Sequence, residues 1–217
     1  MYAIFYMPVI RIRKHVNPLS RVHQIRCDQL LPVEIYKKPM QPLHIDLGCG
    51  MGEFLLTLAK ENVFWNYLGV DIRKPWIDHA LSIRKQSSLP NLYYIHANLN
   101  VSLRSIFSSF PRNLIQRVSI QFPDPWPKQK HHKRRMVTDA FVKELALRLE
   151  TPAQVFIQSD IEEVAKEILT IFQRHPAFAL MGADLPLNPC GAPTAWEKTS
   201  QDRGQRIFRY LFGMVAD

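Results

Sequence analysis

Apolar and polar positions alternate in two periods along this chain, and from residue 43 onward the periods take turns. Leu43-His44-Ile45-Asp46-Leu47 is a short run ending at glycines, the pattern of a buried strand. Phe54, Leu55, Leu58 and Ala59 then recur at helical spacing. Tyr67 to Val70 reads as a second strand ending at Asp71, and Pro75 suits the first turn of the helix continued by Trp76, Ile77, Ala80, Leu81 and Ile83. Leu92 to Ile95 gives a third strand and Val118 to Phe122 a fourth. Val137, Phe141, Leu145 and Leu149 form a helical stripe, and Ala153 to Gln158 a fifth strand. Ile161, Val164, Ala165, Ile168, Leu169 and Phe172 share one helical face. The polar, proline-bearing stretch from Asp184 to Arg203 predicts a long loop before a last strand, Ile207 to Phe212. Such alternation predicts an α/β fold, a mostly parallel sheet with helices on both faces. Residues 1–42 read as a basic N-terminal arm and 43–217 as one domain. In open sheets of this kind ligands bind beyond the carboxyl ends of the strands. Asp46 with its glycines, Asp71, Asn98, Asp124 and Asp160 all follow strand ends, so one sheet edge gathers the candidate functional residues.

Gly48-Cys49-Gly50-Met51-Gly52 joins the first strand to a helix. Glycines permit a tight turn and close approach of backbone to ligand. The spacing is G-x-G-x-G, with Glu53 where a dinucleotide fingerprint has its third glycine. Asp46, just ahead of the turn, would repel a pyrophosphate and attract a cation such as an amino group or a sulfonium. Asp71 is placed for ribose hydroxyls in either scheme. S-adenosylmethionine carries an amino group, a sulfonium and a ribose but no phosphate, so the acids favour it over NAD. Asn98 could bond the adenine edge or simply form a turn. Cys49 has no basic neighbour and reads as a small filler.

Phe122-Pro-Asp-Pro-Trp-Pro-Lys-Gln-Lys-His-His-Lys-Arg-Arg135 carries the other chemistry. Alternate prolines lack N–H donors and force extended neighbours, so Asp124 and Trp126 sit on a stiff loop. Five fixed cations follow within eight residues: Lys128, Lys130, Lys133, Arg134 and Arg135. Residues 1–27 add Arg11, Arg13, Lys14, Arg21 and Arg26 with no acid, so ten of the 28 Lys+Arg fall in two segments of a chain of net charge +9. Clustered charge of this kind suits a polyanionic partner, and nucleic acid is favoured over a merely solvated basic face. His131 and His132 lack metal-ligand spacing, so RNA contact or solvent exposure is expected and no metal. Three cysteines without a CxxC pair suit reduced thiols in the cytosol. No apolar run approaches the ~20 residues of a membrane span. The acid-free start leaves a transit peptide open, but its scarcity of Ser favours the cytosol.

The Asp46-Leu-Gly-Cys-Gly-Met-Gly turn resembles motif I of the Rossmann-like S-adenosylmethionine-dependent methyltransferases. The proline-basic run resembles the signature of the bacterial-type tRNA (guanine-N7)-methyltransferases, and Gln158-Ser-Asp160, Thr194-Ala-Trp-Glu197, Gly204 and Arg209 resemble that family's later motifs. The similarity covers about residues 43–212. It implies methylation of the variable-loop guanine of tRNA. Asp46, Gly48, Gly50, Asp71, Asn98 and Asp124 match cofactor-contacting positions, with Asp124 also catalytic. Lys128, Asp160, Thr194, Ala195, Trp196 and Glu197 match substrate-binding positions, and Lys130 to Arg135 the tRNA-contact strip. Many members carry Glu where this chain has Asp46 and Asp71. Guanine N7 offers a lone pair and no proton, so catalysis there needs alignment and electrostatics rather than an obligatory base. Asp124 is then a positioner, accepting from guanine N1–H and the 2-amino group. Trp126 stacks on a base or packs in the core. Thr194 and Glu197 also spell a helix-capping box. Two other readings stay open: an amino-group methyltransferase, and a catalytically silent RNA-binding protein on the same fold.

Overall fold

The β-branched and aromatic runs pair side by side, and the helical stripes between them cover both faces of the resulting sheet. The computed structural model describes residues 16–215, so Arg11, Arg13 and Lys14 lie outside the described residues. The strands are β1 (Leu43–Leu47), β2 (Asn66–Asp71), β3 (Leu92–His96), β4 (Ile115–Gln121), β5 (Gln154–Ser159), β6 (Phe178–Ala183) and β7 (Phe208–Met214). They form a seven-stranded sheet in the order β3-β2-β1-β4-β5-β7-β6. The first five strands are mutually parallel, and β7 runs antiparallel to both β5 and β6. The strand order reverses between β1 and β4, which makes their carboxyl ends the switch point.

The helices are α1 (Pro32–Ile35), α2 (Glu53–Glu61), α3 (Lys74–Ser87), α4 (Leu99–Ser108), α5 (Asp139–Ala146), α6 (Glu162–Gln173) and α7 (Ala195–Asp202). Leu55, Leu58 and Ala59 of α2 and Ile77 and Ala80 of α3 close one face of the sheet. Leu103, Ile106 and Phe107 of α4, Phe141 and Leu145 of α5, and Ile168 and Phe172 of α6 close the other. Among the described residues no helix is long and apolar enough to cross a membrane.

Two elements revise the expectations. The stretch from Asp184 to Arg203 is not all loop, because Ala195–Asp202 is helical. Thr194 Oγ1 accepts from the Glu197 N–H at 2.9 Å, and the Glu197 carboxylate accepts from the Thr194 N–H at 3.3 Å. This reciprocal cap starts a helix in a sequence whose polarity hides it. The apolar stripe of α5 is longer than its helix: Thr138 caps the start through the Phe141 N–H, and Val137 and Leu149 are buried just outside it.

The start of the described chain is bound to the domain. Serines 102, 105 and 109 of α4 and its flank stand one turn apart and hydrogen-bond the backbone of residues 25–30. Residues 16–42 therefore lie on the domain, though the sequence sets them apart as an arm.

Candidate active site

The carboxyl ends of β1 to β4 open into a cleft whose empty volume, mouth included, is about 640 Å³. Gly48, Asp71, Asn98, Gln121 and Asp124 line it, with Val16 and Pro18 from the start of the described residues. The glycine turn shapes one wall. Gly52 has φ +82°, and a Cβ there would lie 2.6 Å from Tyr94 Cζ, so glycine lets β3 pack under the turn. The same glycine's carbonyl accepts from Tyr94 Oη at 2.6 Å.

Asp71 is buried, and its carboxylate is surrounded by donors. Oδ1 accepts from the Arg73 N–H at 2.8 Å and Arg73 Nε at 2.9 Å, and Oδ2 from the Gly50 N–H and Arg73 Nη2, each at 3.0 Å. The Arg73 guanidinium also lies 3.5 Å over the Trp76 ring. Asn98 caps α4 by accepting from the Asn100 N–H and donates to the carbonyls of Pro18 and His23, both at 2.8 Å. Its amide thus fastens residues 18 and 23 beside the cleft, a task the sequence does not announce.

Asp46 stands behind the cleft, at the head of a row of polar residues set by strand register. Asp46 pairs with Ser119, Gln121 with Gln158, and Gln158 with Arg209. Asp46 Oδ1 accepts from Ser119 Oγ at 2.6 Å and Gln121 Nε2 at 3.2 Å. Gln121 Oε1 accepts from Gln158 Nε2 at 2.8 Å and Asn188 Nδ2 at 3.1 Å. Burial pushes the Asp46 carboxyl up to about 6; the Ser119 and Gln121 bonds oppose that shift, and the Asp71 charge adds to it. His44 Nε2 lies 2.8 Å from Ser119 Oγ, and burial, helped by Arg117, pushes its imidazole down to about 3.

Asp124 rides on a strained loop. Phe122 leaves β4 at φ +49° and Trp126 sits at φ +42°, a left-handed conformation that bulky side chains adopt only when their surroundings impose it. The Phe122 N–H donates to Gln158 O at 2.8 Å, which fixes the first turn. Trp126 lines the cleft, with His131 edge-on at 5.9 Å and the Arg134 guanidinium 4.8 Å over its ring. The loop continues into a 3-10 helix, Gln129–Arg134, that exposes Lys130 and Lys133; Lys128 is exposed just before it and His132 is half-buried within it.

Arg135 departs from the expected phosphate-contacting strip. It is buried, its guanidinium donates to Glu163 at 2.8 Å, to Glu167 and to Pro125 O at 2.8 Å, and it lies 3.1 Å from His132 Nε2. These partners turn it inward, so it ties the proline loop to α6. His132, Glu163 and Glu167 are close enough to suggest a metal site, but the guanidinium occupies their centre.

The segment from Thr194 to Glu197 lies apart from the cleft lining. Glu197 is 2% exposed, accepting from Arg209 Nη2 at 2.7 Å and from Gln158 and Asn188. Ala195 is the first residue of α7. Asp160 accepts from Trp196 Nε1 at 2.9 Å and Ser200 Oγ at 3.1 Å, joining β5's end to that helix. Of the sequence-derived candidates, Gly48, Asp71, Asn98, Asp124 and Arg134 meet around one cleft. Asp46 and Glu197 connect to it through Gln121. His44, Ser119, Gln121 and Arg73 were missed. The first three had a signal: polar residues at alternate positions of otherwise apolar strands must find buried partners.

A family model described as "Putative methyltransferase" matches residues 40–210. A tRNA (guanine-N(7)-)-methyltransferase of Trichormus variabilis is 42% identical over 212 residues, covering 97% of this chain and 99% of that relative. Another from Synechococcus sp. JA-3-3Ab is 44% identical, covering 92% and 84%. Among solved structures, the 16S rRNA methyltransferase KamB superposes with a TM-score of 0.57 at 15% identity, covering 86% of this chain and 91% of that one, a likeness of fold. With near full-length identity of this order to such relatives, and a glycine turn and proline loop meeting at one cleft, this chain belongs to the tRNA (guanine-N7)-methyltransferase family.

Proposed function

We propose that this protein transfers the methyl group of S-adenosylmethionine to N7 of the variable-loop guanine of tRNA. One observation carries the reading. At the switch point of the sheet, an Asp71 ringed by donors and an Asp124 held between prolines line the same cleft, with a basic 3-10 helix continuing from its rim.

The residues present fit the cofactor. The cleft is open, and its acids are Asp71 at the end of β2 and Asp124 at the end of β4, with Asp46 behind. Asp71 would take ribose hydroxyls in exchange for the Arg73 donors that now fill its carboxylate, and Asp46 suits the cationic methionine end, while Gly48 and Gly50 bring backbone close. When bound, the cofactor supplies an electrophilic methyl group. Asp124 positions the guanine by accepting from N1–H and the 2-amino group, and its charge offsets the cation that N7 alkylation creates. No proton leaves N7, so no general base is required. Trp126 offers a face for a base extruded from the tRNA.

Lys128, Lys130 and Lys133 are exposed and Arg134 stands at the cleft, so this strip suits phosphate contacts that position tRNA without reading its sequence. The family likeness supports tRNA as partner and the cytosol as compartment. The test is the product. Digesting tRNA methylated by this protein and identifying the nucleoside by mass spectrometry should give 7-methylguanosine; an exocyclic methylamine would support the amino-group alternative instead.

A further inference from the structure

Asp46 is held by a hydrogen-bond chain that reaches well beyond the cofactor cleft. We propose that Ser119, itself held by His44, and Gln121, itself held by Gln158 and Asn188, are positioning residues that keep Asp46 ionised for the cofactor's ammonium group. The proposal rests on the reading that Asp46 faces that cationic end.

The geometry fixes the direction of every bond. A serine hydroxyl has one proton, and an ionised carboxylate only accepts. Ser119 Oγ therefore donates to Asp46 Oδ1 at 2.6 Å, and His44 must present Nε2–H to Ser119 Oγ at 2.8 Å. His44 is 1% exposed and lies edge-on to Phe54 at 5.9 Å, so its ring is held in place. Gln121 cannot turn its amide over. Its Oε1 takes donors from Gln158 and Asn188, which leaves Nε2 for Asp46 Oδ1. Two donors thus converge on one carboxylate oxygen in a site 3% exposed, where an unsupported carboxylate would take up a proton.

The other titratable groups around Asp46 are Asp71 on β2 with its Arg73 partner, Cys49 in the glycine turn, Tyr94 on β3 and Cys190 before α7; Glu197 is reached through Asn188 and Gln158. Burial raises Cys49, Tyr94 and Cys190 and lowers His44, so none of these four changes charge between about pH 5.5 and about pH 8.5. Changes in cofactor affinity specific to a Ser119 or Gln121 variant in that window therefore report on Asp46.

The experiment is calorimetric titration of the full-length protein with S-adenosylmethionine from about pH 5.5 to about pH 8.5. Wild type is compared with Ser119→Ala, Gln121→Met, His44→Phe and His44→Gln, and circular dichroism confirms that each is folded. The cofactor's amine loses its proton at alkaline pH equally for all, so the readout is the ratio of variant to wild-type Kd. Losing one donor moves the Asp46 inflection up by about one pH unit, so Ser119→Ala and His44→Phe should bind about fivefold more weakly near pH 6 and within about twofold of wild type near pH 8. His44→Gln keeps an N–H donor to Ser119 and should retain the wild-type profile. Should Ser119→Ala fail to fold, Gln121→Met gives the same comparison. A ratio that is constant with pH, or equal to one throughout, overturns the proposal. Asp46→Asn separates the underlying reading: unchanged affinity in that variant removes Asp46 from the cofactor site altogether.

Discussion

Asp124 and Asp46 are both carboxylates at strand ends, yet their surroundings give them different tasks. Asp124 lines the open cleft on a loop stiffened by prolines, so it can meet a substrate edge. Replacing it with Ala should lower turnover about 10²–10³-fold, the scale of losing one preorganised electrostatic partner, with tRNA affinity within about twofold of wild type. Single-turnover rates and filter binding measure the two separately, and wild-type turnover would remove Asp124 from the mechanism. Asp46 is buried with His44, and their pKa shifts pull stability in opposite directions. His44 drops from an ordinary value of 6.5 to about 3, so the native state binds fewer protons across that window and its contribution to stability rises with pH. Asp46 rises from 3.8 to about 6, so its contribution falls as pH rises across its own, narrower window. Across about pH 4 to about pH 6 the two slopes nearly cancel, so thermal melts of wild type should be close to flat there, and His44→Gln, which leaves Asp46 unopposed, should make the melting temperature fall as pH rises over that range; parallel curves would contradict the assignment.

At the scale of elements, the strands were the most legible part of the chain. Every apolar run ending near an acid or glycine became one of β1 to β5, because burial on both faces of a parallel sheet leaves a continuous apolar signature. Four elements were not legible, the four-residue α1 among them. In α4, serines interrupt the apolar stripe, and their reason is the backbone of residues 25–30, which periodicity cannot show. Strand β6 is an exposed edge with little apolar alternation. Helix α7 is polar almost throughout and depends on its cap and on the Arg209–Glu197 pair. Both supports give predictions. Thr194→Ala should cost about 1 kcal/mol in urea unfolding, as lost N-caps do, and Thr194→Ser close to nothing. Arg209→Ala leaves a buried glutamate without its charge partner and should cost about 3–5 kcal/mol. The candidate site was legible where it used acids and glycines at strand ends. It was illegible where side chains 75 residues apart, such as His44 and Ser119, meet by strand register.

Over the whole molecule, an excess of positive charge and the exposed lysines of the 3-10 helix next to the cleft suit the proposed polyanionic partner. Lys130→Ala should reduce the slope of log affinity for tRNA against log salt by about one unit and leave cofactor affinity unchanged. Arg135→Ala should leave that slope alone and lower the melting temperature instead, because its guanidinium joins the proline loop to α6. An altered slope in Arg135→Ala, or none in Lys130→Ala, would redraw the RNA path. The central claim concerns a single atom, guanine N7, and it can be tested by removing that atom. Two tRNAs are prepared, identical except that one carries 7-deazaguanosine in place of the variable-loop guanosine, and each is incubated with the protein and methyl-labelled S-adenosylmethionine. The account predicts label on the guanosine tRNA and none on the 7-deaza tRNA, with both bound equally well; equal labelling of the two would contradict it.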